Sequence, residues 1–218
     1  MSGCGVIFDL DGVIIDSEGL QYRAYCRVLE PFGVKVSREE YGREWIAAGR
    51  GPEYAVKTYN LPLEPSELRA LKDPVYQEIM RCEVTLMPGA TAAIQRLGTA
   101  LPLALATNSK RDEVAFVMER FDLRRHFTAI VTREDYRGAK PEPDAFLAAA
   151  ARLGLPSDRC VVIEDAYKGI VAAYRAGCKC IAVPHDFTAD NDFSLATRVV
   201  PSLDELNVEL LQQLVNDE

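Results

Sequence analysis

The sequence has few of the residues on which several enzyme classes depend. Among its 218 residues only His126 and His185 are histidines, and they suggest no Ser-His-Asp or Cys-His arrangement. Acid–base chemistry would therefore have to come from carboxylates. Every apolar run falls short of the roughly 18 to 20 residues that span a bilayer. The N-terminal residues also lack the basic segment of a signal peptide, so we expect a cytoplasmic protein with no membrane partner.

Basic residues are also in short supply. The chain has 25 Lys and Arg against 33 Asp and Glu, a formal charge of −8. This balance argues against nucleic-acid partners, because sequence-independent binding needs a basic face that displaces counterions. It argues equally against anionic membrane surfaces. An anionic substrate would need a bound cation to offset the acidic excess.

The six cysteines are scattered and lie mostly inside apolar runs. Cys178 and Cys180 would share one strand face, but no second Cys/His pair completes a zinc site. A chain of this length folds without disulfides, so we expect reduced thiols in a reducing compartment.

Short apolar runs alternate with helical patterns along most of the chain. The runs span residues 5–8, 101–106, 129–132, 160–163 and 180–183, and most are continuously apolar, which is typical of strands buried on both faces of a parallel sheet. Helical patterns cover residues 110–121, 143–153 and 166–176. Strands and helices in this alternation predict an α/β fold with a doubly wound parallel sheet.

One stretch departs from this alternation. Residues 17–83 contain no convincing buried strand and instead show helical patterns over 17–30, 38–47, 52–59 and 64–82. Pro74 interrupts the last of these and predicts a kink or a split there. We therefore predict a core formed by residues 1–16 and 84–218, with a helical insertion over residues 17–83.

The first apolar run ends in Asp-Leu-Asp-Gly, which places Asp9 and Asp11 two residues apart. In extended backbone both carboxylates point to one side, where they repel unless a cation or a shared proton relieves them. Asp-Gly between apolar residues is also a strong hairpin signal. From this segment alone both interpretations stay open.

Three further groups of polar residues follow later strands. They are Thr107-Asn108-Ser109, Lys140 and Glu164-Asp165. Taken singly, the first and third could cap the next helix, and Lys140 could be a solvated loop residue. Taken together they favour one site, because ligands bind beyond the carboxyl ends of the strands in open parallel sheets. Carboxylates suit Mg²⁺, while lysine and hydroxyl groups suit phosphate oxygens, so the set predicts magnesium-dependent phosphoryl transfer.

The motifs together resemble the haloacid dehalogenase-like superfamily, in its phosphatase and β-phosphoglucomutase-like branch. Asp-Leu-Asp-Gly-Val-Ile-Ile-Asp-Ser resembles the first family motif and Thr107-Asn108-Ser109 the second. Lys140-Pro141-Glu142-Pro143-Asp144 resembles the third, and Glu164-Asp165 the fourth. The resemblance covers nearly the whole core and the early insertion. It implies a Rossmann-like catalytic core with an inserted α-helical cap domain.

The resemblance also implies a role for each motif residue. Asp9 is then the nucleophile that forms an aspartyl-phosphate, and Asp11 is the general acid and base. Thr107, Asn108 and Lys140 hold the phosphate. Mg²⁺ is bound by Asp9, Asp11 (through its backbone carbonyl), Glu164 and Asp165. The Asp at position 11 sets the chain apart from dehalogenases and phosphonate hydrolases of the superfamily.

Substrate choice is expected to depend on the cap, where the resemblance indicates Gln21, Arg50 and Lys72. β-Phosphoglucomutases typically have a histidine where this chain has Gln21, and Ser-Ala-Ser where it has Thr-Asn-Ser. We therefore predict a phosphatase for small phosphorylated metabolites, most of all sugar phosphates, acting as a monomer. The alternatives are a hexose-phosphate mutase of the β-phosphoglucomutase type and a non-enzymatic protein that binds phospho-ligands.

Overall fold

The computed structural model describes residues 3–216, so Met1 and Ser2 of the N-terminal stretch considered above lie outside the described residues. The chain divides into two compact units. Among the described residues, the first comprises 3–15, 86–184 and 193–216, and the second comprises 16–85 and 185–192.

The elements follow one another in a regular order along the chain. The strands are β1 (Gly5–Phe8), β2 (Leu103–Ala106), β3 (Ala129–Val131), β4 (Cys160–Glu164), β5 (Lys179–Ala182) and β6 (Arg198–Val199). The helices are α1 (Glu18–Leu29), α2 (Arg38–Glu40), α3 (Gly51–Thr58), α4 (Pro65–Glu83), α5 (Ala90–Gly98), α6 (Arg111–Arg120), α7 (Asp144–Leu153), α8 (Tyr167–Arg175) and α9 (Val208–Asn216). A wider π-helical segment, Tyr41–Ala47, follows α2 directly.

The first unit contains a parallel sheet in the order β3-β2-β1-β4-β5-β6. Its central strand β1 is buried over its whole length, and Val6 faces Leu103 of β2 on one side and Val161 of β4 on the other. Continuous apolar runs form such strands because both faces of the sheet are covered. The predicted α/β fold with a doubly wound parallel sheet is confirmed.

The register of the sheet brings the ends of three strands to one edge. Asp9 follows β1, Thr107 follows β2 and Asp165 follows β4. The backbone N–H of Asp9 donates to the carbonyl of Ile163 at 3.0 Å, and that of Thr107 donates to the carbonyl of Val131 at 3.1 Å. The polar residues predicted from sequence therefore start from neighbouring positions of one rigid sheet.

The second unit is helical, with α1 to α4 around a core rich in aromatic side chains. Tyr25, Tyr41 and Trp45 are buried in it, and the rings of Tyr25 and Trp45 lie 4.6 Å apart between centroids. Phe187 belongs to the same core, with its ring 5.6 Å from that of Tyr41. The helical unit is therefore formed by two separate segments of the sequence, residues 16–85 and 185–192.

Several helices differ in detail from the sequence-based expectation. Helix α4 runs through Pro74 as one element from Pro65 to Glu83, so the predicted split is wrong. Residues 38–47 form one turn of α-helix followed by a π-helix instead of a single α-helix. Helices α5 and α9 were not predicted. Within residues 3–216, the helices are all too short or too polar to span a membrane.

Candidate functional site

The segment after β1 forms a tight turn. Gly12 has a φ of +74°, a left-handed value that favours glycine, and its N–H donates to the carbonyl of Ile15 at 2.9 Å. The N–H of Ile15 in turn donates to the carbonyl of Leu10 at 3.0 Å. Both neighbours of β1 are parallel strands, β2 and β4, so the hairpin interpretation of Asp11-Gly12 is wrong.

Lys140 lies at the centre of the carboxylates that follow the strands. Its side chain is 5% exposed, and Nζ donates to Asp9 Oδ1 at 2.5 Å and to Glu164 Oε1 at 2.8 Å. The ammonium also lies 4.4 Å from the centroid of the Phe146 ring. Lys140 is therefore a buried cation shared by two carboxylates, not a solvated loop residue.

Three buried carboxylates lie close together at the edge of the sheet where the strands end. Asp9, Glu164 and Asp165 each offer an oxygen, and these oxygens lie within 4.8 Å of one another. Carboxylate oxygens are the ligands that hard divalent cations prefer, and buried charges of one sign need a counter-charge. The donor set therefore fits a divalent metal ion. Asp11 does not contribute its side chain to this group within the described residues.

The backbone after β4 fixes the orientation of Glu164. Its Oε2 accepts from the N–H of Asp165 at 2.9 Å and from that of Ala166 at 3.2 Å, while Oε1 faces Lys140. Helix α8 begins with Ala166 as its N-cap and has no side-chain cap bond. Glu164 therefore satisfies two backbone donors at the start of α8, and the capping role of Asp165 stays a prediction.

Asp11 faces the hydroxyl groups that follow β2. Its Oδ2 accepts from Ser109 Oγ at 2.5 Å and from Thr107 Oγ1 at 3.2 Å. Thr107 Oγ1 also accepts from the N–H of Ser109 at 2.9 Å, which holds the loop in a compact turn. The N-cap of α6 is Lys110, without a side-chain cap bond, so the capping interpretation of Asn108 and Ser109 is wrong.

Asn108 and Tyr136 connect the loops after β2 and β3. Asn108 Oδ1 accepts from the N–H of Lys140 at 3.1 Å and lies 2.7 Å from the hydroxyl of Tyr136. The same hydroxyl lies 2.8 Å from the carbonyl oxygen of Thr107. The backbone of the residues predicted to hold phosphate is thus tied together by side chains.

The electrostatics of the site depend on burial and on the shared ammonium. Burial raises the pKa of Asp9 well above its usual value, the ammonium of Lys140 opposes this, and the nearby Glu164 and Asp11 add to it. Burial would lower the pKa of Lys140, but the carboxylates of Asp9 and Glu164 outweigh it and raise that pKa. Lys140 therefore stays an ammonium, and an added cation would favour ionised Asp9.

The residues predicted in the helical unit take two different positions. Lys72 is buried, and its Nζ donates to Gln21 Oε1 at 2.9 Å and lies 4.9 Å from the centroid of the Tyr76 ring. The structure therefore brings Gln21 and Lys72 together. Arg50 is exposed and pairs with Glu44 at 2.6 Å.

Two residues beside the site, Tyr136 and Gly169, were not identified from the sequence. The role of a third residue, Ser109, was interpreted wrongly. Ser109 was considered only as a helix cap, although it donates to Asp11. Tyr136 lies in a loop with no periodic pattern, so no sequence signal identified it. Gly169 lies inside α8, and a glycine within a helix costs stability and therefore indicates a packing reason. The reason is Glu164, whose carboxylate lies against it.

Comparison with known proteins identifies the family of the chain. Residues 6–183 match the family model of haloacid dehalogenase-like hydrolases. Hexitol phosphatase B of Escherichia coli strain K12 is 32% identical over 212 residues, which cover 93% of this chain and 94% of that protein. The phosphorylated carbohydrates phosphatase of Thermotoga maritima is 32% identical over 176 residues, which cover 79% and 81% of the two chains.

Solved structures show the same fold. CbbY from Rhodobacter sphaeroides, in complex with phosphate, superimposes with a TM-score of 0.75 and 27% identity, covering 95% of this chain and 98% of that one. Because the family model matches most of the chain and hexitol phosphatase B matches over 94% of its length, this chain belongs to the haloacid dehalogenase-like hydrolases, in their phosphatase branch.

Proposed function

We propose that this protein is a magnesium-dependent phosphatase for small phosphorylated metabolites, in particular sugar phosphates, and that it works through an aspartyl-phosphate. The observation that carries the proposal is the contact of the buried Lys140 ammonium with both Asp9 and Glu164. The Lys140 ammonium places a positive charge beside Asp9 at the end of a strand. Ligands bind at this end of the strands in open parallel sheets. Phosphoryl transfer depends mainly on such positioning and neutralisation of charge.

In the first step a carboxylate oxygen of Asp9 attacks phosphorus and forms an O–P bond. The bond from phosphorus to the ester oxygen breaks, and the leaving oxygen takes the proton of the Asp11 carboxyl group. Thr107 and Lys140 donate hydrogen bonds to the phosphoryl oxygens as their charge is redistributed. Asn108 adds a further donor from its side-chain amide.

In the second step the Asp11 carboxylate accepts a proton from water. The water oxygen attacks phosphorus, the bond to Asp9 breaks, and inorganic phosphate leaves. Asp9 is again a carboxylate and Asp11 again a carboxylic acid, so the cycle closes without a further reactant. Ser109, which donates to Asp11 Oδ2, holds this carboxylate beside the loop that follows β2.

Asp9, Glu164 and Asp165, with the backbone carbonyl of Asp11, would hold Mg²⁺. The bound ion supplies positive charge that balances the phosphoryl oxygens and favours ionised Asp9. This also resolves the conflict between an acidic chain and an anionic substrate.

The relatives support the substrate class. Hexitol phosphatase B and the phosphorylated carbohydrates phosphatase are named for phosphorylated sugars and sugar alcohols, and both match most of this chain. Gln21, Arg50 and Lys72 stay predicted as the residues that select the substrate. Replacing each with alanine should change the ranking of substrates more than it changes phosphate release from a small aryl phosphate.

The proposal is tested with a panel of phosphometabolites, assayed for free phosphate with Mg²⁺ and with EDTA. We expect Mg²⁺-dependent release that Asp9→Asn abolishes, while the exposed Asp158→Asn in the same unit keeps wild-type activity. Substantial phosphate release by Asp9→Asn would show that another group is the nucleophile.

A companion assay distinguishes a mutase. It follows the conversion of β-glucose 1-phosphate to glucose 6-phosphate in the presence of catalytic bisphosphate. Isomerisation without phosphate release would replace the phosphatase by a hexose-phosphate mutase. Light scattering on the same samples tests the expected monomer.

A further inference from the structure

Tyr136 lies outside the four motifs, but its hydroxyl contacts two residues of the second motif. Its hydroxyl oxygen is 2.8 Å from the carbonyl oxygen of Thr107 and 2.7 Å from Asn108 Oδ1. Both neighbours are acceptors, and the hydroxyl has one proton. The Tyr136 O–H is therefore a donor shared by two acceptors of the loop after β2, the backbone carbonyl of Thr107 and the side-chain amide of Asn108.

The second donor to Asn108 comes from the loop that carries Lys140. The N–H of Lys140 donates to Asn108 Oδ1 at 3.1 Å, so this oxygen has two protein donors. An amide that turned by 180° would place its NH₂ group against the backbone N–H of Lys140, which can only donate. The contact with Lys140 therefore fixes which half of the amide is the acceptor, and the hydroxyl of Tyr136 adds the shorter donor contact to the same oxygen.

The other half of the amide is free to bind a ligand. Nδ2 of Asn108 donates to no protein group among residues 3–216, and the side chain is exposed at the end of β2. An NH₂ group is a hydrogen-bond donor and suits a phosphate oxygen, whereas the amide oxygen would repel it. The orientation of the Asn108 amide thus determines whether the side chain attracts or repels a phosphate oxygen.

The ring of Tyr136 is held independently of its hydroxyl. The guanidinium carbon of Arg133 lies 5.2 Å from the ring centroid, and Arg133 donates to the carbonyl of Tyr136 at 2.9 Å. Burial raises the pKa of Tyr136 to about 12, so the hydroxyl keeps its proton at neutral pH. A Tyr136→Phe substitution therefore removes the donor and leaves the ring contacts in place.

We propose that Tyr136 is a positioning residue for phosphate binding, which acts by orienting the Asn108 amide so that its NH₂ group faces the substrate phosphate. The inference rests on the proposed function, because it takes the phosphate to bind beside Thr107 and Lys140. It adds to that function a residue from the loop after β3 that touches neither the phosphate nor the reacting atoms.

The test measures the Kd of inorganic phosphate, with Mg²⁺ present, for wild type, Tyr136→Phe, Asn108→Ala and the double variant. We expect Tyr136→Phe to weaken phosphate binding about fivefold, the size of one ordinary hydrogen bond. In the Asn108→Ala background the same substitution should have no further effect, because the two residues act as one unit. Tyr174→Phe, on an exposed side chain, is the matched control and should bind as wild type.

Unchanged phosphate binding in Tyr136→Phe would overturn the proposal. An equal loss in the presence and absence of Asn108 would also overturn it, because Tyr136 would then act only by stabilising the fold. Asn108 is exposed, so its variant provides an informative comparison even if Tyr136→Phe unfolds more easily. In that case unweakened phosphate binding by Asn108→Ala overturns the proposal.

The proposed function and this inference fail separately. If wild type releases phosphate from no ester on the panel, the phosphatase proposal fails, but the four Kd values still decide the role of Tyr136. If hydrolysis is found, kcat and KM add a second readout. A positioning role predicts that Tyr136→Phe lowers kcat/KM to the same extent that it weakens phosphate binding.

Discussion

The carboxylate of Glu164 occupies the space that a side chain on Gly169 would need. A Cβ added to Gly169 would lie 1.6 Å from Glu164 Oε1 and 1.9 Å from its carboxyl carbon. Neither atom can remain there beside a methyl group. Glu164 is at the same time held by the backbone N–H groups of Asp165 and Ala166 and by Lys140. The glycine is therefore part of what keeps Glu164 turned toward the cluster.

Gly169→Ala should lower activity strongly while the protein still folds. The methyl group displaces the Glu164 carboxylate from Lys140 and from the acidic cluster, whereas alanine itself favours the helix. We expect at least a tenfold loss of Mg²⁺-dependent phosphate release, measured alongside a circular dichroism spectrum. Gly42→Ala is the control, because its added Cβ would meet its nearest neighbour, the carbonyl oxygen of Phe187, at an ordinary 3.6 Å. Full activity of Gly169→Ala would mean that Glu164 is dispensable.

Lys140→Met should destabilise the metal-free protein. Removing the ammonium leaves Asp9 and Glu164 buried without a counter-charge, which costs about 3 kcal/mol in comparable buried pairs. Urea unfolding in EDTA measures this loss, and Mg²⁺ should restore more stability to the variant than to wild type, because the ion supplies the missing charge. Lys168→Met, on an exposed side chain, should show neither effect. Equal responses of Lys140→Met and wild type to Mg²⁺ would show that the ion does not replace the charge of Lys140.

The cysteines should differ strongly in reactivity. Cys82 is exposed and Cys26 partly buried, whereas Cys4, Cys160, Cys178 and Cys180 are buried, and all are free thiols in the structure. Burial raises the pKa of both Cys160 and Cys178 to about 12, so neither forms the reactive thiolate near neutral pH.

A thiol-reactive dye at pH 8 tests this order. We expect fast labelling of Cys82, slower labelling of Cys26, and reaction of the other four only in denaturant. Cys82→Ser should remove the fast phase alone. Fast labelling of more than two thiols in the native protein would show that the buried set is accessible.

Stability should fall as the pH drops through the titration of His185. Burial lowers the pKa of His185, although the carboxylates of Glu18, Asp16 and Asp186 oppose this shift. Its Nδ1 also lies 3.4 Å from the N–H of Phe187, a contact that protonation of Nδ1 would remove. In the unfolded chain the pKa is about 6.5.

The sign follows from proton binding. Between the two pKa values the unfolded state binds more protons than the folded state, so unfolding becomes easier as the pH falls. The contribution of His185 is therefore complete above about pH 7 and is lost as the pH drops below 6.5. Urea unfolding between pH 7.5 and 5.5 measures the slope, which His185→Asn should reduce. A slope that His185→Asn does not alter would rule out this residue as its source.

Much of the architecture was predictable from local patterns. The apolar run at residues 5–8 matches β1 residue for residue, and the run at 160–163 differs from β4 only by Glu164. Such strands are recognisable because burial on both faces leaves no polar alternation. The π-helix at Tyr41–Ala47 and the continuous α4 were not predictable, since tertiary packing overrides the local preferences there.

The polar groups of the site show where local reasoning ends. Ser109 and Asp165 each precede a helix, and a residue that caps a helix has the same type and place in sequence as one that binds a ligand. In the structure Ser109 donates to Asp11, and the backbone near Asp165 is satisfied by Glu164. For Ser109 the role is decided by Asp11, a partner 98 positions away in the chain.

The sequence by itself determined the residue types, their order and their positions at the ends of strands, because these depend on hydrophobic periodicity and short motifs. It also determined the acidic balance that calls for a cation beside an anionic substrate. Only the tertiary structure decided that Lys140 is buried between Asp9 and Glu164. Those residues are 131 and 24 positions from Lys140 in the chain, and only the sheet order, with β1 next to β4, brings them within hydrogen-bond distance.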